Sequence, residues 1–197
     1  MEIGEFSLPN SLRLNVLNIP MNQRLEFVKK LVIQNTAPGK AGLIFTQTRK
    51  FSERLARLLT QPGSPVQSYH AGLDPEVRRS LETQFSNGLI PWMVSTSAFG
   101  LGMNWENLST VILWQPSFSL ISLAQALGRT GRGDQPGLAT LLWESADFQS
   151  MDWGIQGNSE LGTELKKVRK YLETPGCRKI NLSRALDSNF TSDTNRI

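Results

Sequence analysis

One segment combines residue types and a spacing that suit the binding of phosphate oxygens. Residues 125–133 read Gln-Ala-Leu-Gly-Arg-Thr-Gly-Arg-Gly, so two arginines stand three positions apart and each follows a glycine. Glycine permits backbone shapes that a side chain would block, and a planar guanidinium group can bind two phosphate oxygens at once. The same residue types also form ordinary solvated turns, and a short motif alone leaves that interpretation open. Arg129 and Arg132 are therefore candidate phosphate-binding residues, to be weighed with the rest of the chain.

The pattern of residues 125–132 resembles motif VI of superfamily 2 helicases, and three other segments resemble further motifs of that superfamily in order. Residues 41–50 (Ala-Gly-Leu-Ile-Phe-Thr-Gln-Thr-Arg-Lys) resemble motif IV, and residues 94–104 resemble motif V. Between them, residues 69–73 (Tyr-His-Ala-Gly-Leu), followed by Arg78, resemble the segment after motif IV. The combination resembles the RecQ family of DNA helicases rather than the RNA-helicase branches. Several motifs in the right order across roughly residues 10–180 are much more specific than one motif alone.

This resemblance implies the second, C-terminal RecA-like domain of an ATP-dependent helicase with 3′–5′ polarity. Its implied catalytic residues are Arg132 as the arginine finger, Arg129 as its sensor and Gln125 as a link between the two faces of the ATP cleft. Its implied nucleotide-binding residues are Gly100, Gly102, Asn104, Gly128 and Gly131. Its implied contacts with single-stranded or unwinding DNA are Thr46, Thr48, Arg49, Gly72, Arg78, Thr96 and Ser97.

The sequence lacks the motifs that bind the phosphates of ATP and its Mg²⁺ ion. No Gly-x-x-x-x-Gly-Lys-Ser/Thr loop and no Mg²⁺-binding motif of the Asp-Glu-x-His type occurs, and residues 37–41 (Ala-Pro-Gly-Lys-Ala) are not a phosphate loop. Phosphoryl transfer needs that loop, its lysine and a metal held by a carboxylate. We therefore expect ATP and Mg²⁺ to bind only together with a first RecA-like domain, in cis or in trans, and expect no ATP hydrolysis by this chain alone.

The number of cysteines decides whether a zinc site is expected. Residues 171–179 resemble the first cysteine region of the RecQ zinc-binding subdomain, but Cys177 is the only cysteine of the chain. A structural zinc site needs four ligands, so no zinc is expected here. His70, the only histidine, is expected to pack or cap rather than to act as a general base, because nothing acidic flanks it.

Composition narrows the class of protein. Hydrophobic residues make up 39% of the 197 residues, which is enough for a core, and the net charge is +4. That mild basic bias is compatible with a phosphate-bearing partner and is weak support alone. No apolar stretch is long enough to span a bilayer, and the first nine residues lack the features of a secretory signal. We expect an intracellular protein, nuclear if the source is eukaryotic, with no membrane partner.

Alternating apolar runs and amphipathic stretches predict an α/β fold, a RecA-like parallel sheet with helices on both faces. About five or six strands are expected, with the RecA-like domain at residues 1–155. A short C-terminal helical appendage at 156–197 resembles the start of a truncated RecQ zinc-binding subdomain. Ligands of open α/β sheets bind at the carboxyl ends of the strands. Arg129 and Arg132 are accordingly expected in an exposed loop beside the sheet edge that carries Thr96 and Gly102.

Three functions remain open on these grounds. The first is the C-terminal half of an ATP-driven DNA helicase. The second is a truncated, non-catalytic paralogue that binds nucleic acid or a partner helicase. The third is a RecA-like structural domain without a ligand, which the set of motifs disfavours although fold alone never establishes function.

Overall fold

The computed structural model describes residues 8–96, 107–131, 135–155 and 157–186. The predicted residues Ser97, Gly100, Gly102, Asn104 and Arg132 lie outside these ranges. Six strands occur in the described part of the chain: β1 (Leu12–Asn18), β2 (Ala41–Phe45), β3 (Val66–Tyr69), β4 (Trp92–Ser95), β5 (Leu108–Leu113) and β6 (Gly137–Trp143). Its helices are α1 (Met21–Asn35), α2 (Arg49–Leu59), α3 (Pro75–Ser86), α4 (Leu120–Leu127), α5 (Ser145–Gly154), α6 (Ser159–Glu173) and α7 (Arg178–Leu186).

The strands form one parallel sheet in the order β1-β6-β5-β2-β4-β3. Parallel neighbours require each connection to return from the carboxyl edge to the amino edge, and helices supply most of these returns. All strand ends therefore lie at one edge and all strand starts at the other. The prediction of a parallel α/β sheet with about six strands is confirmed.

Apolar residues fill a core on each side of the sheet. Adjacent residues of one strand point to opposite faces, so Leu43 and Ile44 belong to different core clusters, as do Val111 and Ile112. The side of Ile44 packs against α1 and α2, and the side of Leu43 packs against residues of the other five helices. Two covered faces explain why the strands read as continuous apolar runs.

The start of α3 shows how the sequence defines an element. Asp74 accepts a hydrogen bond from the backbone N–H of Glu76 at 2.7 Å, and Pro75 occupies the first helical position. This cap and this proline are typical of helix starts. Helical spacing also predicts that Val77, Leu81 and Phe85 face inward, and Leu81 is partly buried against the core. Phe85 is buried, as predicted. The prediction for Val77 is wrong, because its side chain is exposed.

Helices α6 and α7 pack against the same core cluster as α4, through Leu165, Val168, Leu172 and Leu182. The division of the chain at position 155 stays a prediction. Among the described residues, no helix is both long enough and apolar enough to cross a membrane.

Candidate nucleotide and nucleic-acid interface

The carboxyl ends of three adjacent strands bring together segments that are far apart in the sequence. Phe45 and Tyr69 both pair with Ser95 across the sheet. The next residues continue this contact, since Thr46 N–H donates to the carbonyl of Ser95 at 2.8 Å and Thr96 N–H donates to the carbonyl of Tyr69 at 3.4 Å. The expected meeting of these segments at one sheet edge is confirmed, and the binding roles of Thr46 and Thr96 stay predictions.

The hydroxyl groups of Thr46 and Thr48, in the motif IV segment, lie close to backbone atoms of the protein itself. The Thr46 side chain is buried, and its Oγ1 lies 3.4 Å from the Ser95 carbonyl. Thr48 caps α2, because its Oγ1 accepts a hydrogen bond from the N–H of Phe51 at 3.2 Å. The start of a helix carries partial positive charge and attracts anions. Thr48 therefore fixes a helix start that faces the carboxyl edge.

Arg49, the first residue of α2, lies over Gly72 in the loop that follows β3. A Cβ atom added to Gly72 would stand 2.9 Å from Nη1 of Arg49, so the arginine side chain would have to shift to admit a side chain there. Both residues are exposed. Two of the predicted DNA contacts are thus neighbours in space although 23 positions separate them in the chain (72 − 49).

Arg78, in the first turn of α3, lies beside Tyr69. The Tyr69 hydroxyl donates to Glu82. Burial and the neighbouring Glu82 carboxylate together raise the pKa of Tyr69 to about 12, while Arg78 acts in the opposite direction. Arg78 is half-buried, and its Nε is buried without a hydrogen-bond partner among the described residues. The arginine is therefore held at the base of the loop after β3, at the edge of the sheet.

His70 has an acidic partner that the sequence does not reveal. Its imidazole is buried, and Nε2 lies 3.0 Å from Oε1 of Glu53 on α2. The expectation that nothing acidic is near this histidine is wrong, because it considered sequence neighbours only. Its expected packed position is confirmed, since the His70 side chain is only 5% exposed.

Helix α4 presents one polar face to a pocket. Ser119 caps the helix by accepting a hydrogen bond from the N–H of Ser122 at 3.2 Å. Ser122, Gln125 and Arg129 follow at the spacing that places residues on one side of a helix, and all three line a pocket of about 350 Å³. Its remaining lining residues are Phe45, Thr46, Gln47, Leu113, Gln115, Pro116, Ser117, Phe118 and Ala126.

This pocket is lined both by residues predicted to act on the nucleotide and by a residue predicted to contact DNA. Gln125 and Arg129 are candidates for the nucleotide side, and Thr46 is a candidate for the DNA side. The sequence analysis missed Gln47, whose Nε2 donates to the carbonyl of Pro116 at 3.1 Å and ties the end of β2 to the segment after β5. No sequence signal marks such a contact, because it depends on which two strands are neighbours.

The loop after α4 begins at the opposite edge of the sheet from Thr96. Thr130 is buried and its Oγ1 donates to the carbonyl of Leu108 at 2.8 Å, at the start of β5. Gly131 has a φ of 74°, accepts a hydrogen bond from the Ser11 hydroxyl at 2.6 Å, and leaves only 3.1 Å between an added Cβ and the Cβ of Leu12. Leu12 and Gly137 are paired at the starts of β1 and β6.

The prediction placed Arg129 and Arg132 in an exposed loop beside the sheet edge that carries Thr96 and Gly102. Arg132 and Gly102 lie outside the described residues, and Arg129 is half-buried, while Thr130 and Gly131 between the two arginines lie at the opposite edge. The physical reason is the parallel sheet, since α4 must carry the chain back to the amino edge before β6 begins. Arg129, which follows the end of α4 and is half-buried, still lines the same pocket as Thr46. Gly128 ends α4, its N–H donating to the carbonyl of Ala124 at 2.9 Å.

Comparison with known proteins gives one family and a group of relatives. The family described as "Helicase conserved C-terminal domain" matches residues 23–134. The chain is 31% identical over 188 residues to the ATP-dependent DNA helicase RecQ of Pasteurella multocida, covering 91% of this chain and 29% of the relative. It is 35% identical over 136 residues to the protein of the same name from Synechocystis, covering 68% of this chain and 27% of the relative. The chain thus spans less than a third of the length of these relatives.

Solved structures share the fold at lower identity. The DEAD-box protein SrmB of E. coli superposes with a TM-score of 0.61 and 16% identity, covering 81% of this chain and 85% of that one. A DEAD box protein from Methanococcus jannaschii superposes with a TM-score of 0.62 and 21% identity, covering 74% of this chain and 39% of that one. At these identities the likeness concerns the fold alone: a RecA-like sheet with helices on both faces.

Proposed function

Because this chain belongs to the helicase conserved C-terminal domains, and among them to the RecQ type, we propose that it acts as the C-terminal RecA-like half of an ATP-dependent DNA helicase with 3′–5′ polarity. In this proposal it supplies the arginine finger and part of the track for single-stranded DNA. The observation that carries the proposal is the pocket along α4, where Gln125 and Arg129 of the nucleotide side meet Thr46 of the DNA side.

The DNA track is proposed for the carboxyl edge of β2, β3 and β4. Arg49 and Arg78 supply positive charge there, and Gly72 lets the backbone approach a phosphate closely. Thr46, Thr48, Thr96 and Ser97 complete the proposed set, with the start of α2 contributing its partial positive charge. Such contacts bind the backbone of a strand without reading its sequence.

The nucleotide side is proposed for the loop that follows α4. Arg132 is the proposed arginine finger, Arg129 its sensor and Gln125 the link to the DNA side. Bound ATP supplies the phosphoryl group whose transfer drives the cycle. Arg129 is half-buried and lines the pocket beside the exposed Gln125, and a guanidinium group suits a phosphate. Gly100, Gly102, Asn104, Gly128 and Gly131 are proposed to shape the backbone around the nucleotide.

Magnesium is assigned to a phosphate-loop half and not to this chain. In the parts of the chain that the structure describes, no three acidic, histidine or cysteine side chains stand close enough to hold a metal ion. The partner implied is a first RecA-like domain, in cis or in trans, together with single-stranded or unwinding DNA.

The test is reconstitution with a first domain. The chain alone should show background ATPase with or without DNA. Joined to the first RecA-like domain of its Pasteurella relative, by fusion or as a separate chain, it should give DNA-stimulated turnover that the first domain alone does not reach. If no RecQ-type first domain restores turnover while the chain still binds single-stranded DNA, the non-catalytic module is the better description.

A further inference from the structure

Two side chains of α2 contact the loop that follows β3. Arg49 and Glu53 are four positions apart, so they project from the same side of the helix. Glu53 Oε1 lies 3.0 Å from Nε2 of His70, and the Arg49 guanidinium lies over Gly72, with Nη1 2.9 Å from the position of an added Cβ. The helix and the loop are thus joined at two points one helical turn apart.

The two contacts differ in rigidity. His70 is 5% exposed, whereas its partner Glu53 is 43% exposed and reaches in from the surface. A hydrogen bond to a carboxylate is stronger than one between neutral groups, and here the imidazole ring is fixed by burial. The Arg49 side chain, by contrast, is exposed and has many rotamers to lose when it is held in one place. The Glu53–His70 contact is therefore the anchor, and the Arg49–Gly72 contact depends on it.

A carboxylate at this place is unfavourable for DNA binding by charge alone. Glu53 lies one turn from Arg49, in the track proposed for a polyanion, and its charge repels phosphate. A group that only contributed charge would weaken binding there, so its contact with His70 is the feature that explains its position. The Thr48 cap fixes the start of α2 but does not reach the loop after β3.

We propose that Glu53 is a positioning residue for DNA binding. By holding His70 it fixes the loop after β3 against α2, so that the Arg49 guanidinium and the Gly72 backbone form one phosphate-binding unit. This inference rests on the proposed function, because it assigns a role within the DNA track. Glu53 does not touch DNA itself; it acts through His70 and Arg49.

The experiment measures the affinity of the full chain for a fluorescent single-stranded oligo(dT) by anisotropy at low salt. Glu53→Ala should weaken binding by about three- to tenfold, which lies in the lower part of the range of couplings between residues in contact. Glu53→Gln keeps the length and an acceptor oxygen, so it should bind within about twofold of the unchanged chain. Glu53→Asp keeps the charge but withdraws it from His70, and it should weaken binding as alanine does. Glu26→Ala, which removes a carboxylate from an exposed pair with Lys29 on α1, is the matched control and should leave affinity unchanged.

A double-mutant cycle separates positioning from general stability. In an Arg49→Ala background, Glu53→Ala should have no further effect on affinity, because the group that it positions is gone. In an Arg78→Ala background its effect should persist. A merely structural role would instead give the same loss in both backgrounds and would follow the melting temperature of each variant.

The outcomes distinguish failure of the proposed DNA track from failure of the positioning role of Glu53. If Arg49→Ala leaves DNA affinity unchanged, the proposed DNA track is wrong and this inference fails with it. If Arg49→Ala weakens binding but Glu53→Ala adds its full effect on top, the track stands and the positioning role is wrong. Tighter binding by both Glu53→Gln and Glu53→Ala would also overturn it, since it would show that Glu53 acts through its charge alone. Should Glu53→Ala fail to fold, the Glu53→Gln and Glu53→Asp pair decides by the same comparison.

Discussion

Arg24 and Asp147 form a buried ion pair with two hydrogen bonds, although 123 positions separate them in the chain. Nη1 of Arg24 donates to Oδ1 of Asp147 at 3.0 Å and Nη2 donates to Oδ2 at 2.7 Å. The two side chains are 0% and 1% exposed. Arg24 also donates to the carbonyls of Ile19 and Trp114, and Asp147 accepts from the N–H of Glu144. The pair thereby joins the first turns of α1 and α5 at the ends of β1, β5 and β6.

Breaking this pair from one side should strongly destabilise the fold. Asp147→Ala leaves the Arg24 guanidinium buried without its counter-charge, which costs about 3–5 kcal/mol in comparable cases. Denaturant titration should therefore show a fall of that size in the free energy of unfolding. The control is Glu26→Ala, which breaks an exposed pair with Lys29 and should cost about 0–1 kcal/mol. A loss for Asp147→Ala as small as that of the control would show that water or another group replaces the carboxylate.

The ion pair also shows what the sequence could not predict. Strands such as β2 and β6 follow from local apolar runs, and the start of α3 follows from Asp74 and Pro75, because these signals act between near neighbours. Arg24 looks like any polar position of α1, and Asp147 like an acidic residue in the first turn of α5. Their contact depends on β1 and β6 being adjacent in the sheet, which is a matter of topology.

The candidate site likewise contains features that the local sequence indicates and contacts that depend on the topology of the sheet. Motif spacing singled out Gln125, Arg129 and Arg49 as candidates, whose roles stay predictions, and the strand ends explain why the segments of Thr46 and Thr96 lie at one edge. The sequence did not predict the Glu53–His70 contact, because it joins a helix to the loop after a different strand. Nor did it predict that Gly131 packs at the amino edge, since that depends on the full path of the chain from α4 into β6.

Gly42, in the central strand β2, should not tolerate a side chain. A Cβ atom at this position would overlap the indole ring of Trp92 on the neighbouring strand β4. The ring cannot easily retreat, because it is 1% exposed and its Nε1 donates to the Thr36 hydroxyl at 2.8 Å. Overpacking of this kind costs typically about 1–3 kcal/mol. Gly42→Ala should lower the free energy of unfolding by at least that amount in denaturant titration.

The matched control for Gly42→Ala is Gly154→Ala at the end of α5. A Cβ atom there meets nothing within 4 Å, and alanine is favoured over glycine in helices by about 1 kcal/mol. Gly154→Ala should therefore be neutral or stabilising. In addition, Trp92→Leu should lose less stability in a Gly42→Ala background than in the unchanged chain, because the overlap with the ring is then absent. Equal losses in the two backgrounds would contradict the overlap.

Cys177, just before α7, should react as a thiolate more readily than an ordinary cysteine. Hydrogen bonds from the backbone N–H groups of Ile180 and Lys179 lower the pKa of this exposed thiol. Helix starts stabilise thiolates in this way. The pH midpoint of the iodoacetamide alkylation rate should lie below the value of about 8.5 for a free thiol. In denaturant the helix start is lost, and the midpoint should return to that value. The same midpoint in both states would show that the hydrogen bonds do not hold the thiolate.

The last prediction concerns the proposed arginine finger and requires the reconstituted pair of domains. Arg132→Ala should lower DNA-stimulated ATP turnover by roughly three orders of magnitude or more, in line with arginine-finger losses. The KM for ATP should change much less, because a finger acts mainly on charge that develops in the transition state. Arg132→Lys should rescue poorly, since a point charge cannot replace the planar guanidinium. Arg57→Ala, at the far end of α2 and outside the proposed site, is the matched control that removes one positive charge and should leave turnover unchanged. If turnover is restored by a first domain but is indifferent to Arg132→Ala, the finger is assigned to the wrong residue, and Arg129→Ala is the next variant to measure.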